Sequence, residues 1–239
     1  MIRTAEILLV ATALTACASP SASSPASPGR SATPQTASSE PAPSTFPAVP
    51  TGIIEPGTYA VRSGAYSAVP FAWTIPEGWV GQNGGQTVSK YPDEPRELGL
   101  NAYVITRIFA DACSGTEADV IEVGPTADDL VAALLEQPGA AVAEPVEITI
   151  DGYSGVRVDL TVPADLDLST CRPPAPGGIQ IWQSMNGKYF VLLVEAVASV
   201  YVVDVQGERL VLSTQHGTTS SPEDIAEMDA IIDSIKIGE

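Results

Sequence analysis

Hydrophobic and polar positions alternate along most of the chain after Thr51, with the period of two that is typical of strands with one buried face. The segment 100–109 carries apolar residues at both alternating sets of positions, which predicts a central strand covered on two sides. We predict about seven or eight strands, at 69–75, 100–109, 146–150, 156–162, 179–182, 189–194, 199–205 and 208–214, and weaker strand patterns occur at 58–61 and 86–90.

Short turn signals separate several of these segments. Asp151-Gly152, Asn186-Gly187 and Gln206-Gly207 are pairs that favour tight turns between neighbouring strands. They therefore predict hairpins and a mostly antiparallel sheet. A longer Pro-rich loop is predicted at 163–178.

Two segments have helical spacing and recognisable caps. Thr126 and Asp129 resemble a capping box, and Pro138-Gly139 ends the helix that follows. Ser221 is placed to cap a second helix with Pro222 at its first position, running to about residue 234. The predicted fold is α+β, a mostly antiparallel sheet with two helices packed on it, similar to an α/β/α sandwich.

The N-terminus has the pattern of a secretion signal. An apolar run at Ile7–Leu14 follows Arg3 and is too short to span a membrane. The quartet Leu14–Cys17 resembles the lipobox of bacterial lipoproteins, in which the cysteine is joined to diacylglycerol. We predict a signal peptide at 1–16 and a lipid on Cys17; the alternative is plain secretion, with Cys17 an ordinary thiol.

A low-complexity segment separates Cys17 from the rest of the chain. Pro, Ser and Ala make up 24 of the 33 residues from Ala18 to Pro50, so this segment cannot bury apolar area. We predict that 17–50 is the lipidated cysteine with a disordered tether, and that 51–239 is a single extracytoplasmic domain.

The chain is strongly acidic. It has 11 basic and 29 acidic residues and a net charge of −18, with no basic stripe. Such a charge repels phosphate backbones, so nucleic acid is not expected as a partner. The carboxylates are scattered, which favours a solvated surface over a cation site.

Two cysteines remain beyond Cys17. In an oxidising compartment Cys113 and Cys171 have a single pairing, and we expect a disulfide that pins the 163–178 loop near the end of the 100–109 strand. The alternative is a pair of buried free thiols.

Catalytic patterns are weak. Gly152–Gly155 places Ser154 in a sequence one residue short of a nucleophile elbow, and it leads into a strand instead of a helix. The sole histidine, His216, would have to act as base, but we expect it in a loop before the last helix. Catalysis by paired acids cannot be assigned to particular residues.

Metal and cofactor patterns are also weak. One histidine and two cysteines expected in a disulfide do not supply a zinc site. Asp165–Ser169 begins like a calcium loop, but Thr170 and Pro176 stand where Gly and Glu are needed, so a solvated loop is favoured. No metal or cofactor is expected.

Other polar and aromatic residues have structural interpretations. Asp204 and Arg209 flank the Gln206-Gly207 turn, where we expect a cross-strand ion pair. Trp73, Trp79 and Trp182 are expected in the core, with Trp79 at its edge.

Together these features resemble cell-envelope lipoproteins of high-GC Gram-positive bacteria. The residues that carry the resemblance are Cys17, the tether, Phe71–Trp79, the Cys113/Cys171 pair and the helix from Ser221 to Ile235. The strand ending in Pro76–Trp79 and the closing helix are also similar to PsbP-like and LpqN-type domains. This resemblance implies an α/β/α sandwich and carries over no catalytic residues.

We therefore expect a membrane-anchored, extracytoplasmic binding or accessory module that recognises an envelope protein or a small ligand. The alternatives are an envelope hydrolase that uses Ser154 or paired carboxylates, and a purely structural wall component.

Overall fold

A computed structural model describes residues 44–113, 115–171, 177–185, 187 and 189–238. These residues form 16 strands. In chain order they are β1 Gly52–Ile53, β2 Gly57–Val61, β3 Phe71–Ile75, β4 Val80–Gln82, β5 Thr87–Lys90, β6 Leu98–Tyr103, β7 Ile105–Phe109, β8 Val120–Glu122, β9 Ala141–Val142, β10 Val146–Ile150, β11 Tyr153–Thr161, β12 Gly178–Ser184, β13 Tyr189–Leu193, β14 Ala196–Val205, β15 Glu208–Gly217 and β16 Lys236–Ile237.

The described residues also form two α-helices, both where the capping signals predict them. Helix α1 spans Ala127–Glu136 and α2 spans Pro222–Asp233. The Thr126 hydroxyl accepts a hydrogen bond from the Asp129 N–H at 3.1 Å, and the Asp129 carboxylate accepts one from the Thr126 N–H at 2.9 Å. The Ser221 hydroxyl likewise accepts from the Asp224 N–H. These bonds satisfy N–H groups that the first helical turn leaves without partners.

The strands form three sheets. The main sheet has the order β1-β4-β5-β6-β15-β14-β11-β10, with β9 also paired to β11, and all of these pairs are antiparallel. The four-stranded sheet has the order β13-β12-β7-β8, and the three-stranded sheet the order β16-β3-β2. The α+β class and the antiparallel pairing are confirmed.

Each face of the main sheet packs into its own hydrophobic core. One face, called the α2 face, packs against α2 and the three-stranded sheet through residues such as Trp73, Leu212 and Ile231. The other, called the α1 face, packs against α1 and the four-stranded sheet through residues such as Leu134 and Trp182. Trp73, Trp79 and Trp182 are fully buried, as expected.

The prediction of one central strand over 100–109 is wrong. The chain leaves the main sheet after Tyr103 and enters the four-stranded sheet at Ile105, so that β6 pairs with β15 and β7 pairs with β12. The carbonyl of Val104, at the break, accepts a hydrogen bond from the Met185 N–H. The alternation of side chains continues across this single residue, which is why the pattern conceals the change of sheet.

Two predicted hairpins are confirmed by their backbone angles. Asp151 and Gly152 have φ of 49° and 86°, and Gln206 and Gly207 have φ of 57° and 90°. Two consecutive positive φ values make the turn whose twist matches the flanking strands. At the third predicted hairpin, Asn186 lies outside the described residues. The strands on either side, β12 and β13, pair as predicted.

The packed chain begins slightly before the predicted boundary at Thr51. Val49 is buried, and the carbonyl of Pro47 accepts a hydrogen bond from the Ala60 N–H at 2.8 Å. The signal peptide, Cys17 and the tether up to residue 43 lie outside the described residues.

The predicted disulfide is confirmed. Cys113 follows β7, and Cys171 lies in the loop between β11 and β12, a sequence separation of 58 residues. The Asp111 carboxylate accepts a hydrogen bond from the Cys113 N–H, which fixes the backbone at one end of the bridge.

The predicted ion pair between Asp204 and Arg209 is wrong, although the two residues are opposite each other in the β14–β15 register. The Arg209 guanidinium donates to the carbonyl oxygens of Gly124, Thr126 and Ile105, while Asp204 accepts from the Gly207 N–H. The arginine therefore joins the start of α1 to the point where the chain changes sheets.

Candidate functional site

A cavity of about 280 Å3 opens at one end of the α1 face, where three segments distant in sequence meet. They are the loop before β6, the turn between β13 and β14, and the end of β15. We call it the Asn101 cavity; its lining is Thr87, Glu94, Pro95, Glu97, Gly99, Asn101, Leu193, Val194, Glu195, Ala196, Gln215, Gly217, Thr218 and Thr219.

Close backbone packing holds the first and third segments together. A Cβ atom on Gly217 would collide with the carbonyl oxygen of Pro95, so only glycine allows this approach. The Thr219 hydroxyl donates to the same carbonyl at 3.0 Å, and the Ser220 hydroxyl donates to the Arg96 carbonyl at 3.2 Å. These contacts fix one wall of the cavity.

The second wall is the turn that carries the chain from the four-stranded sheet back to the main sheet. Glu195 has a φ of 66°, a conformation that is uncommon for a residue with a side chain. Its carbonyl accepts a hydrogen bond from the Thr218 N–H at 2.9 Å. The turn leaves Leu193 and Val194 44% and 45% exposed at the cavity mouth.

The floor of the cavity is polar. The Asn101 side-chain oxygen accepts a hydrogen bond from the Thr87 hydroxyl at 2.6 Å, so the amide NH₂ remains as a donor. Gln215 is in β15, directly opposite Gly99 in the sheet register, and adds a second amide. Two amides offer both donors and acceptors to a bound molecule.

Carboxylates surround the opening. Glu97 is half-buried, and this burial raises the pKa of its carboxyl above the ordinary value. Glu94 pairs with Arg96 at 2.9 Å, and Glu195 is exposed. A polar floor, apolar residues at the mouth and acidic neighbours suit a small amphipathic molecule that is neutral or cationic.

None of these residues was singled out from the sequence. The available signal was the position of Asn101 between Leu100 and Ala102, a polar side chain on a strand predicted to be covered on both faces. Such a residue needs a hydrogen-bond partner or a cavity. The segments that complete the cavity carry no corresponding signal.

The structure does not bring Ser154 and His216 together. Ser154 is at the start of β11, whereas His216 is aligned, through Val197 of β14, with Thr161 at the other end of that strand. An offset of seven residues along the strand and two strand spacings across the sheet separate the two positions by about 25 Å. His216 is also in β15, not in the predicted loop, and its Nδ1 lies 3.1 Å from the Gly217 carbonyl oxygen.

The loop that begins like a calcium site has a local structure of its own. The Asp167 carboxylate accepts hydrogen bonds from the Ser169 N–H and hydroxyl at 3.0 and 2.6 Å, which lowers the pKa of Asp167. In the described part of the chain, no three His, Cys, Asp or Glu side chains are grouped as metal ligands.

An aromatic cluster lies between the main sheet, which supplies Tyr103, and the four-stranded sheet, which supplies Trp182 and Phe190. Trp182 stacks on Phe190 with ring centroids 4.2 Å apart, and Tyr103 meets both rings edge-on. Trp182 is fully buried from solvent, and Tyr103 is nearly so. This cluster is therefore core rather than a surface for stacking a ligand.

Comparison with known proteins gives only distant structural similarity. No protein-family model matches the chain, and no curated protein matches it. A protein from Bacteroides thetaiotaomicron is similar with a TM-score of 0.34 and 12% identity over 77% of this chain; the chain spans about half (49%) of that protein's length. Cyanobacterial PsbP from Synechocystis sp. PCC 6803 is similar with a TM-score of 0.33 and 14% identity, over 78% of this chain and 94% of PsbP.

Among the described residues, neither helix has the length and apolar character needed to cross a membrane.

Proposed function

We propose that the chain is a membrane-anchored, extracytoplasmic lipoprotein of the actinobacterial LpqN type, acting as a non-catalytic binding module. The Leu14–Cys17 quartet supports lipid attachment at Cys17 and a position on the outer side of the cell membrane. The Cys113–Cys171 disulfide fits the same compartment, because such bonds persist in oxidising surroundings.

The Asn101 cavity is the observation that carries the binding role. It combines the two floor amides, Asn101 and Gln215, with exposed Leu193 and Val194 at the mouth. A binding role also agrees with the separation of Ser154 and His216, which leaves the serine without the only histidine in the chain. The ligand we propose is a small amphipathic molecule, neutral or cationic.

Filling the cavity tests this proposal. A Cβ atom built on Gly99 meets no neighbour closer than the Asn101 amide nitrogen at 4.0 Å, and Gly99 lacks the positive φ that would strain a side chain. Gly99→Phe is expected to fill the cavity, whereas Gly99→Ala leaves most of it open. The uncharged apolar dye N-phenyl-1-naphthylamine, followed by fluorescence, is the probe.

The wild-type protein and Gly99→Ala are expected to enhance the dye fluorescence, and Gly99→Phe to abolish at least nine-tenths of the enhancement. Ala226→Phe is the matched control, because Ala226 is exposed on α2 at the other face of the sheet. Circular dichroism verifies that each variant is folded. Equal enhancement by Gly99→Phe and the wild type would contradict the assignment of the cavity.

A further inference from the structure

Strand β10 ends the main sheet, and its outer edge pairs with no strand in the described part of the chain. It is joined to β11 by the two-residue turn Asp151-Gly152. In such a hairpin the residues that close the turn, here Ile150 and Tyr153, form a hydrogen-bonded pair. The next residues alternate, so Glu147 and Thr149 direct their N–H and C=O groups toward the open edge.

A groove of about 770 Å3 runs beside this edge on the α1 face. Its floor is apolar, formed by Val131, Val156 and Val202, and Ser154 and Thr149 add hydroxyl groups. Three carboxylates, Asp128, Glu147 and Asp204, also line it. The Arg209 guanidinium donates to the backbone carbonyls of Gly124, Thr126 and Ile105 and keeps its positive charge, but it is not part of the lining, and the three lining carboxylates outnumber it.

We propose that β10 and this groove form a docking site for an extended, basic segment of a partner protein, which adds to the main sheet as a further strand. Strand addition supplies backbone hydrogen bonds, and alternate side chains of the added strand give specificity. Side chains on the same face as Glu147 and Thr149 extend over the groove, where lysine or arginine meets three carboxylates. The intervening positions lie beside Val146, which is 43% exposed on the opposite face.

Charge also selects against another copy of this chain. Antiparallel addition of a second β10 would place the Glu147 carboxylates of two molecules on the same face of the joined sheet, between bodies that each have a net charge of −18. Pro145 has no N–H and precedes β10, so the docking edge is limited to the length of that strand. A short basic segment is the partner that fits these limits.

This docking site shares no lining residue with the Asn101 cavity, so either site can be disproved without the other. The probe is a blocked seven-residue peptide in which lysine alternates with valine, and the control peptide carries glutamate in place of lysine. Binding to the purified protein is followed by fluorescence anisotropy. Hydrogen exchange reports on the backbone N–H groups of Glu147 and Thr149.

Two variants separate charge from strand addition. Glu147→Lys reverses a groove charge, and Thr149→Pro removes an N–H that points to the open edge while sparing the ladder to β11. Each is expected to weaken binding of the lysine peptide at least tenfold. Glu223→Lys makes the same charge change on exposed α2 at the other face and is expected to leave binding within twofold.

In the wild type the peptide is expected to slow exchange at Glu147 and Thr149. Failure of the wild type to bind, equal loss in Glu147→Lys and Glu223→Lys, or unchanged exchange at Glu147 and Thr149 would each overturn the proposal. Tight binding by a folded Thr149→Pro variant would also overturn it. If Thr149→Pro does not fold, hydrogen exchange at Glu147 and Thr149 in the wild type decides whether the peptide adds as a strand.

Discussion

Replacing both Cys113 and Cys171 by serine is expected to lower the free energy of unfolding by about 4 kcal/mol. The disulfide closes a loop of 58 residues, and the unfolded chain gains the conformational freedom of that loop when the bond is absent. A domain of this size has a total stability of about 5–15 kcal/mol, so the loss is a large fraction of the whole.

Urea unfolding followed by tryptophan fluorescence measures this loss. The slope of unfolding free energy against urea is expected to rise in the double variant, because its unfolded chain exposes more surface. Reduced wild-type protein is the control and should match the double variant. A loss below about 1 kcal/mol would mean that the bond contributes little to holding the β11–β12 loop against the end of β7.

Arg209→Ala is expected to cost at least about 3 kcal/mol of unfolding free energy. The side chain donates charge-assisted hydrogen bonds to three backbone carbonyls, at 2.8 Å for Gly124 and 2.9 Å for Thr126 as well as to Ile105. Truncation leaves these carbonyls without their donor and loosens the start of α1 from the point where the chain changes sheets. Chemical unfolding gives the loss, and hydrogen exchange in β8 and α1 locates it.

Asp204→Ala is the matched control for Arg209→Ala. If the two residues formed the ion pair predicted from the sequence, removal of either would cost a similar amount. Because Asp204 bonds to the Gly207 N–H instead, its loss is expected to cost only about 1 kcal/mol. Equal losses in the two variants would contradict the observed hydrogen bonding of Arg209.

Local signals were sufficient to predict both helices and the tight hairpins. The capping residues Thr126 and Ser221 act within one turn, and Gly152 and Gly207 adopt positive φ for reasons contained in the turn itself. The disulfide was predictable because only two cysteines remained beyond Cys17. These features depend on contacts between residues close in sequence, or on a pairing with one solution.

The division into three sheets was not predictable in the same way. A strand paired with β15 and a strand paired with β12 have the same alternation, so nothing in 100–109 indicates the break at Val104. Short strands such as β1 and β16 have only two residues each, too few for a period to be recognised. Partner choice, not local propensity, defines them.

The candidate site could not be predicted from the sequence, for a related reason. Asn101, Gln215 and Leu193 belong to separate strands, and their proximity depends on which strands pair and on the turn at Glu195. The groove beside β10 likewise combines α1 with strands that follow it in the chain. Ser154 and His216, by contrast, can be combined into a catalytic pair from the sequence alone. The register of β11, β14 and β15 places them far apart.

Native mass spectrometry of the protein extracted from its own membrane fraction tests the proposed anchored binding role most directly. We expect a chain that begins at Cys17 with attached lipid and carries a noncovalent small-molecule adduct. The adduct should be absent from Gly99→Phe and present in Ala226→Phe. A chain without lipid would contradict the proposed anchor, and an adduct that persists in Gly99→Phe would contradict binding in the Asn101 cavity.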